Sequence, residues 1–457
     1  MEDTYQKLAG IGLQIPEILI PGPGTDMEKW AVIACDQFTQ DRAYWEKAAK
    51  TAGPAPSTLN LIFPEIYLQD EGRAARIRAI HQTMAAYLRE GVFAPPRRGC
   101  VYLERNTPRH PGRRGLVIAL DLEQYNWAPA SRPLIRTTEG TVPERLPPRM
   151  EIRRGAALES PHILILIDDE TDEILPGLGE RAKAAAPAYQ SPLMLGGGDI
   201  SGWFLEDEAD WAFLARGLES LAQRAQTRYG AGGAGEAPFL FAVGDGNHSL
   251  ATAKEIWEEY KKTHAGEPDL PNHPCRYALA EIENLYDPAI RFEPIHRVLF
   301  HISLDELIGR LSVLPGFSSR PVGTGTPGGN RAALSRLAGD SGAAKTRLGL
   351  VSGNRCTLVE FDTPGLATVS LQPLLDELVQ TPGKDTPAID YIHGEDEIFR
   401  LAADPAARAV GILLPPVKKS GLFETVARSG PLPRKSFSMG EAVEKRYYLE
   451  CRRLFGV

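Results

Sequence analysis

One segment near the middle of the chain strongly restricts the fold, because it predicts a strand, a tight turn and a helix in immediate succession. The apolar residues 239–243 lead into the sequence GDGNHS at 244–249. In the following residues, Leu250, Trp257 and Tyr260 share one helical face, and charged residues occupy the other. A strand that passes directly into an amphipathic helix is typical of an α/β or α+β sheet.

The rest of the chain repeats this alternation of short apolar runs and helical patterns, which predicts an α/β (α+β) fold. The predicted strands are 116–120, 163–167, 239–243, 357–361 and 410–414. The predicted helices are 73–90, 206–228, 250–262, 303–311 and 371–378. A length of 457 residues suggests about two to three domains.

Composition excludes several classes of protein. Hydrophobic residues make up 43% of the chain, so it can bury a large core and is not wholly disordered. A formal net charge of −8 argues against a general nucleic-acid binder. The five cysteines are widely spaced, which favours reduced, mostly buried thiols over a zinc site or a disulfide framework. Because we find no signal-peptide pattern and no membrane-spanning run, we expect a cytoplasmic protein.

The backbone of the GDGNHS turn is suited to an anion. Glycines at 244 and 246 allow the main chain to approach a ligand closely. The N–H groups of the first helical turn then point at the ligand, and the helix dipole favours negative charge there. Gly244 and Gly246 are therefore candidate phosphate-binding residues.

The side chains of the turn add chemistry to this backbone. Asn247 or Ser249 is expected to cap the helix, and His248 supplies a titratable donor. Asp245 repels a bare phosphate, so its presence predicts either a bound Mg²⁺ that bridges to phosphate or a pairing with an arginine. The structural alternative is an ordinary turn in which Asp245 and Ser249 only cap the helix.

A second polar cluster lies upstream, at RTTE (136–139) beside Gly140. Glu139 is a candidate general base, because partial removal from water raises the pKa of a carboxylate. Arg136 and, further along, Arg153 are candidates for binding phosphate or a substrate carboxylate. Thr138 is a further candidate for substrate binding. The alternative for the whole cluster is a solvated, charged loop.

Two later segments add basic groups. His296 and Arg297 lie in the segment PIHRV (294–298), which follows DPAI (287–290), and Arg434 and Lys435 lie near the C-terminus. We expect these residues to close the site from the C-terminal side. On the alternative interpretation they are solvated or structurally paired charges.

Four segments together resemble the DUF1015 family of bacterial and archaeal proteins: RTTE at 136–139, GDGNHSLATAK at 244–254, RYALAEIENLYDPAIRFEPIHRVL at 276–299 and PLPRKSFS at 431–438. The family looks like a branch of the ParB/sulfiredoxin-like superfamily, which includes free serine kinases. The resemblance implies a mixed-sheet core over residues 1–300. It also implies an additional C-terminal α+β lobe over residues 301–457 that contributes PRKS to the site.

The resemblance also implies roles for individual residues. Asp245, Gly246, Asn247 and His248 match the phosphate-binding turn, with Asp245 holding Mg²⁺, and Glu139 matches the catalytic base. The wider phosphate- or nucleotide-binding set then includes Gly244, Ser249, Arg297, Arg434 and Lys435, and the substrate-binding set includes Arg136, Thr138, Arg153 and His296. The common family turn reads Asp-Gly-His-His-Arg. Here Asn247 replaces the first His and Ser249 replaces the Arg, which removes a bidentate phosphate contact.

The leading functional prediction is a kinase that phosphorylates the hydroxyl of a free amino acid, with L-serine as acceptor and O-phosphoserine as product. The departures in the turn leave the phosphoryl donor open among ATP, ADP and pyrophosphate. Two alternatives remain, a nucleotide-binding ParB-like switch without transfer activity and a hydrolase of nucleotides or phosphate esters. The expected partners are small molecules, with no membrane and no nucleic acid, and a homodimer is left open.

Overall fold

The computed structural model describes residues 2–230, 236–323, 326–339, 345–363, 365–380, 386–403 and 408–456. The chain forms two compact units. The first comprises Met1–Arg291 and Gly440–Val457, and the second comprises Phe292–Met439. The contacts therefore divide the chain at 291 and 439, whereas the sequence predicted one boundary at 300.

The helices and strands match the predicted alternation. The α-helices are α1 (Glu2–Gly10), α2 (Met27–Trp30), α3 (Arg42–Ala52), α4 (Arg73–Arg89), α5 (Leu146–Arg153), α6 (Ile174–Ala182), α7 (Glu208–Tyr229), α8 (Asn247–Thr263), α9 (Leu304–Leu311), α10 (Pro327–Gly339), α11 (Ala367–Gln380), α12 (Glu395–Ala402) and α13 (Leu422–Ser429). The strands are β1 (Leu13–Gln14), β2 (Glu17–Ile18), β3 (Val32–Ile33), β4 (Arg97–Arg98), β5 (Cys100–Asn106), β6 (Arg113–Asp121), β7 (Ile135–Thr137), β8 (Leu158–Glu159), β9 (Leu164–Ile167), β10 (Tyr189–Pro192), β11 (Asp199–Leu205), β12 (Phe241–Asp245), β13 (Tyr277–Asn284), β14 (Phe292–Phe300), β15 (Ser318–Pro321), β16 (Thr346–Ser352), β17 (Arg355–Phe361), β18 (Ala388–His393), β19 (Val410–Leu413), β20 (Phe437–Met439), β21 (Tyr447–Tyr448) and β22 (Arg452–Arg453). Each predicted strand and helix coincides with an element of the same type, with ends that differ by a few residues.

The first unit is built on a mixed sheet, which confirms the predicted α/β fold with a mixed sheet. Among the described residues this sheet has nine strands, in the order β10-β11-β5-β6-β13-β9-β12-β7, with β1 also paired to β6. Strand β12 runs parallel to β7 and antiparallel to β9, and β13 runs parallel to β9. Strand β7 therefore lies at the end of the sheet beside the strand that leads into the turn.

Both faces of this sheet are covered, as the alternation along β6 shows. Leu116 and Ile118 pack in one hydrophobic cluster with Trp257 of α8, whereas Val117 packs in a second cluster with Trp30. Successive side chains of a strand point to opposite faces, so two layers are needed to bury an apolar strand of this kind. The amphipathic helix α8 supplies part of one layer, as its sequence pattern predicted.

The C-terminal residues complete the first unit. Strand β21 pairs with β3, and β22 pairs with β8. The indole Nε1 of Trp30 donates a hydrogen bond of 2.8 Å to the main-chain oxygen of Leu449. These pairings fix the position of the segment that contains Lys445 and Tyr448, both of which contact the candidate site described below.

The second unit has its own sheet and core. The described residues form seven strands, in the order β15-β17-β16-β19-β14-β18, with β20 also paired to β14. Leu350 of β16 and Ile412 of β19 pack against Leu307 of α9 and Leu371 of α11. This unit contains both helices and strands and comprises residues 292–439, whereas the sequence predicted a C-terminal lobe over residues 301–457.

Two further expectations concern the whole chain. The five cysteines are unpaired, and four of them are buried, which confirms the prediction of free, mostly buried thiols. Among the described helices, none combines the length and the apolar character needed to cross a bilayer.

Candidate functional site

The two motifs that the sequence placed in separate segments meet at one end of the sheet. Because β7 and β12 are parallel, with Val243 opposite Thr137, their carboxyl ends lie side by side. The Thr137 hydroxyl contacts the Asn247 side-chain oxygen and lies 2.6 Å from the main-chain oxygen of Glu139. The fully buried Thr138 donates a 2.6 Å hydrogen bond to the Val243 carbonyl. These hydrogen bonds hold the RTTE segment against the turn, and one of them uses the Thr138 hydroxyl.

The turn itself depends on Gly246. This residue has φ of +77° and occupies the N-cap of α8, so Asn247 and Ser249 lie inside the helix and do not cap it as predicted. Its N–H donates to Asp245 Oδ1 at 2.9 Å, and its carbonyl accepts from the N–H groups of Ser249 and Leu250. A helix that begins on glycine has no side chain at the N-cap, and its positive end favours an anion.

An ion pair with little exposure to solvent lies at the same turn. Lys445 Nζ is 3.1 Å from Asp245 Oδ2, and the two side chains are 10% and 23% exposed. Burial alone raises the pKa of Asp245, but the charge and hydrogen bond of Lys445 outweigh it and lower that pKa below its usual value. The sequence predicted an arginine or a metal ion as the partner of Asp245, and the structure places a lysine there.

A histidine that lies two residues before the neighbouring strand β9 connects the turn to the C-terminal segment. His162 Nε2 lies 2.9 Å from Ser249 Oγ, and His162 Nδ1 lies 2.6 Å from the Tyr448 hydroxyl. On the other side of the turn, His248 Nε2 accepts a 3.2 Å hydrogen bond from the N–H of Val142. Ser249 and His248 are therefore both held in place by contacts from outside the helix.

The two arginines proposed for substrate binding have different surroundings. Arg136 is buried, and its guanidinium donates to the Ala237 carbonyl at 3.2 Å. Arg153 Nη2 donates to Glu159 Oε2 at 2.5 Å, and Arg153 lines a cavity that also includes Ser249. The geometry brings Arg153 near the turn, whereas the guanidinium of Arg136 is engaged by the main chain.

Four of the predicted site residues lie in the second unit. The buried Arg297 donates through Nε and Nη2 to Gln372 Oε1, at 3.2 and 3.1 Å. His296 accepts a main-chain hydrogen bond through Nδ1, and burial together with the Arg297 charge lowers its pKa to about 4. Arg434 and Lys435 are exposed. These contacts give His296 and Arg297 roles inside their own core.

Sequence reasoning missed three residues near the turn: Lys445 and His162, which contact it, and Tyr448, which contacts His162. Lys445 and Tyr448 lie in the run KRYY at 445–448, and its combination of basic and aromatic residues was the local signal for them. His162 directly precedes the predicted strand 163–167. A histidine at the end of an apolar strand was the only local signal for it.

Replacing Gly246 by alanine is expected to lower the free energy of unfolding by about 1–2 kcal/mol, because the residue has a left-handed conformation. An added Cβ would also lie 3.1 Å from the main-chain Cα of Ile163. The matched control is Gly140→Ala, where a Cβ meets no atom within 4 Å among the described residues. Urea denaturation of the two variants tests this, and equal losses of stability would contradict it.

The first unit is thus an α/β unit with a strand–turn–helix site whose backbone and charges are suited to an anion. The sequence profile of DUF1015, described as a protein of unknown function, matches residues 19–377, so the chain belongs to this family. A comparison with curated proteins found no match.

Several solved structures resemble the chain at low sequence identity. A conserved hypothetical protein from Pyrococcus furiosus is 11% identical, with 73% of this chain and 90% of that chain covered and a TM-score of 0.33. Free serine kinase in complex with AMP is 13% identical, with 74% and 92% covered and a TM-score of 0.36. SbnI from Staphylococcus aureus, with a C-terminal truncation, is 8% identical, with 71% and 82% covered and a TM-score of 0.35. These values do not establish a shared activity.

Proposed function

We propose that this protein is a small-molecule kinase that transfers a phosphoryl group to the hydroxyl of a free amino acid, with L-serine as the first acceptor to test. The observation that carries the proposal is the Asp245–Lys445 pair at the turn where β12 ends and α8 begins. A helix N-terminus, a cation and a carboxylate in one place match the needs of a transferred phosphoryl group. The resemblance of the turn to that of the free serine kinases supports the same choice.

On the donor side, the backbone of the turn binds the phosphates. The N-terminus of α8 orients them, and Lys445 neutralises part of their charge. Asn247 and His248 contact the group that is transferred. Phosphoryl transfer demands alignment and charge neutralisation more than covalent chemistry from the protein, so this set of groups is sufficient for the donor.

The turn fits a magnesium ion that is shared with the donor phosphates. Among the described residues, no group of three or more His, Cys, Asp or Glu side chains is arranged to hold a metal ion by itself. Mg²⁺ commonly takes one or two protein carboxylates and completes its shell with water and substrate phosphates. Asp245 is the residue that would hold it. When bound, the ion neutralises charge on the donor phosphates.

On the acceptor side, Glu139 and Arg153 complete the reaction. The acceptor hydroxyl oxygen forms a bond to the terminal phosphorus of the donor. The bond from that phosphorus to the bridging oxygen breaks, and its electron pair leaves with the donor product. Glu139 accepts the hydroxyl proton, and Arg153 binds the acceptor carboxylate.

The proposal is tested by incubating the protein with Mg²⁺, L-serine and each of ATP, ADP and pyrophosphate, with detection of O-phosphoserine by mass spectrometry. We expect Glu139→Gln to lower the rate by about 10²- to 10⁴-fold, as for loss of a general base. Asp245→Asn is expected to lower it strongly as well. The exposed Glu144→Gln is the matched control and is expected to keep the wild-type rate.

Three results would contradict the proposal. Release of inorganic phosphate without a phosphorylated acceptor would indicate a hydrolase. Nucleotide binding without consumption would indicate a switch. Formation of O-phosphoserine at an unchanged rate in folded Asp245→Asn protein would place the chemistry at a different site.

A further inference from the structure

A cavity of about 150 Å³ lies next to the turn. Ser249 and Thr252, from the first two turns of α8, form part of its wall. His162, which is hydrogen-bonded to Ser249, belongs to the same wall. The cavity therefore borders the position proposed for the phosphates, where an acceptor must lie for its hydroxyl to reach the transferred group.

Much of this wall is apolar. It includes Leu61, Phe63, Met84, Leu158 and Leu279, each at most 5% exposed. A polar substituent placed against these side chains loses hydrogen bonds to water and gains none, whereas an apolar substituent is stabilised. An apolar cavity of about 150 Å³ is large enough to hold a benzene molecule. The wall thus favours a ligand with an alkyl or phenyl group.

Two arginine–glutamate pairs supply the charges of the cavity. Arg149 pairs with Glu65, and Arg153 pairs with Glu159. The Nε–H of Arg153 is buried and has no hydrogen-bond partner among the described residues. Because Arg153 and Glu65 both line the cavity, the guanidinium of Arg153 can pair with a carboxylate of a ligand, and the Glu65 carboxylate with an ammonium. Charges of both signs beside an apolar surface are complementary to an amino acid with an apolar side chain.

We propose that this cavity is the acceptor pocket and that it selects β-hydroxy amino acids whose hydroxyl-bearing carbon carries an alkyl or phenyl group. The proposal rests on the proposed phosphoryl transfer and narrows its acceptor. In L-serine the hydroxyl-bearing carbon carries only hydrogens besides its hydroxyl, so this substrate makes no contact with the apolar wall there. L-Threonine covers part of it, and threo-3-phenylserine covers more.

The transfer assay measures this selectivity. One methylene in a hydrophobic pocket changes specificity by about 10- to 200-fold. We therefore expect kcat/KM for L-threonine and for threo-3-phenylserine to exceed that for L-serine by at least about 10-fold. In Ala156→Leu, where the added side chain fills part of the cavity, the preference for phenylserine is expected to disappear. Ala156 lines the cavity but lies outside the proposed catalytic groups.

Binding without a donor tests the pocket independently of catalysis. L-Phenylalanine and L-alanine lack the hydroxyl, so neither can be phosphorylated, and calorimetry reports their affinities directly. We expect phenylalanine to bind at least about 10-fold more tightly than alanine. Arg153→Gln is expected to weaken phenylalanine binding by about 10-fold or more. The matched control is Arg154→Gln, because Arg154 is exposed and pairs with Glu259.

The outcomes separate the two proposals. Equal affinities for phenylalanine and alanine, or no binding of either at millimolar concentration, would overturn the assignment of the cavity as a pocket for an amino acid with an apolar side chain. Tighter phenylalanine binding that depends on Arg153, without phosphorylation of any hydroxy amino acid, would overturn the proposed kinase activity. It would support the cavity as a binding site for an amino acid with an apolar side chain. Equal rates of phosphorylation of L-serine and L-threonine, both unchanged in Ala156→Leu, would support the kinase activity. The same result would overturn the proposed selectivity for alkyl- or phenyl-substituted acceptors.

Discussion

Replacement of Lys445 by methionine is expected to lower kcat/KM for phosphoryl transfer by about 10²- to 10³-fold, the usual cost of removing one group that stabilises transition-state charge. Lys445 Nζ is 3.1 Å from Asp245, and its side chain is 10% exposed. Its charge therefore acts in surroundings that hold little water, where electrostatic interactions are stronger than in solution. Methionine has a similar length and no charge. Initial rates of acceptor phosphorylation measure the effect.

Lys254 provides a matched control for this variant. It lies on α8, is 13% exposed, and pairs with Glu258 at 2.7 Å, away from the turn residues. Lys254→Met therefore removes a similarly buried lysine and is expected to keep the wild-type rate. Wild-type kinetics in folded Lys445→Met protein would contradict a role for Lys445 in binding the donor.

Replacement of Arg446 by leucine is expected to lower the free energy of unfolding by about 3–5 kcal/mol. Arg446 is 2% exposed, and its guanidinium lies 3.1 Å from Glu281 and 2.7 Å from Glu450. Both carboxylates are also buried, so leucine would remove the guanidinium that pairs with them in a medium that solvates charge poorly. Urea denaturation followed by tryptophan fluorescence measures the loss.

The exposed pair between Arg42 and Asp70 is the control for this second prediction. The side chains are 53% and 36% exposed, and Arg42→Leu is expected to cost at most about 1 kcal/mol. A loss in Arg446→Leu as small as that in Arg42→Leu would contradict the role of Arg446 as the counter-ion of Glu281 and Glu450.

The parts of the fold that depend on local pattern were predicted well from the sequence. Strand β12, the turn and helix α8 follow from an apolar run, two glycines and an amphipathic repeat, all within 25 consecutive residues (239–263). Gly246 has a φ of +77°, a conformation that glycine adopts readily and that depends on the local backbone, whereas its predicted role in phosphate binding stays a prediction. The proximity of RTTE to the turn was expected only by family resemblance, since it depends on the pairing of β7 with β12.

The residues that were missed depend on long-range contacts. Lys445 reaches Asp245 because β21 and β22 pair with strands from the first half of the chain. No periodicity in the sequence reveals such pairings. Tyr448 and His162 contact each other for the same reason.

Residue type alone also left the roles of arginines open. From the sequence, Arg136, Arg153 and Arg297 were all candidates for binding a phosphate or a carboxylate. A guanidinium can also form internal hydrogen bonds in a protein core, and residue type does not distinguish these two uses. The structure separates them by their surroundings. Arg297 bonds to Gln372 in its own core, whereas Arg153 lines the cavity beside the turn. Its assignment as an acceptor ligand stays a prediction.

The central claim, phosphoryl transfer at the Asp245–Lys445 turn, is tested most directly by following one reaction with ³¹P NMR. The sample contains the protein, Mg²⁺, the phosphoryl donor and L-threonine with L-serine. The account predicts that phosphomonoester signals of the amino acids grow in step with the loss of the donor, and that Lys445→Met slows both. Loss of the donor to inorganic phosphate alone, or an unchanged donor over the same period, would contradict it.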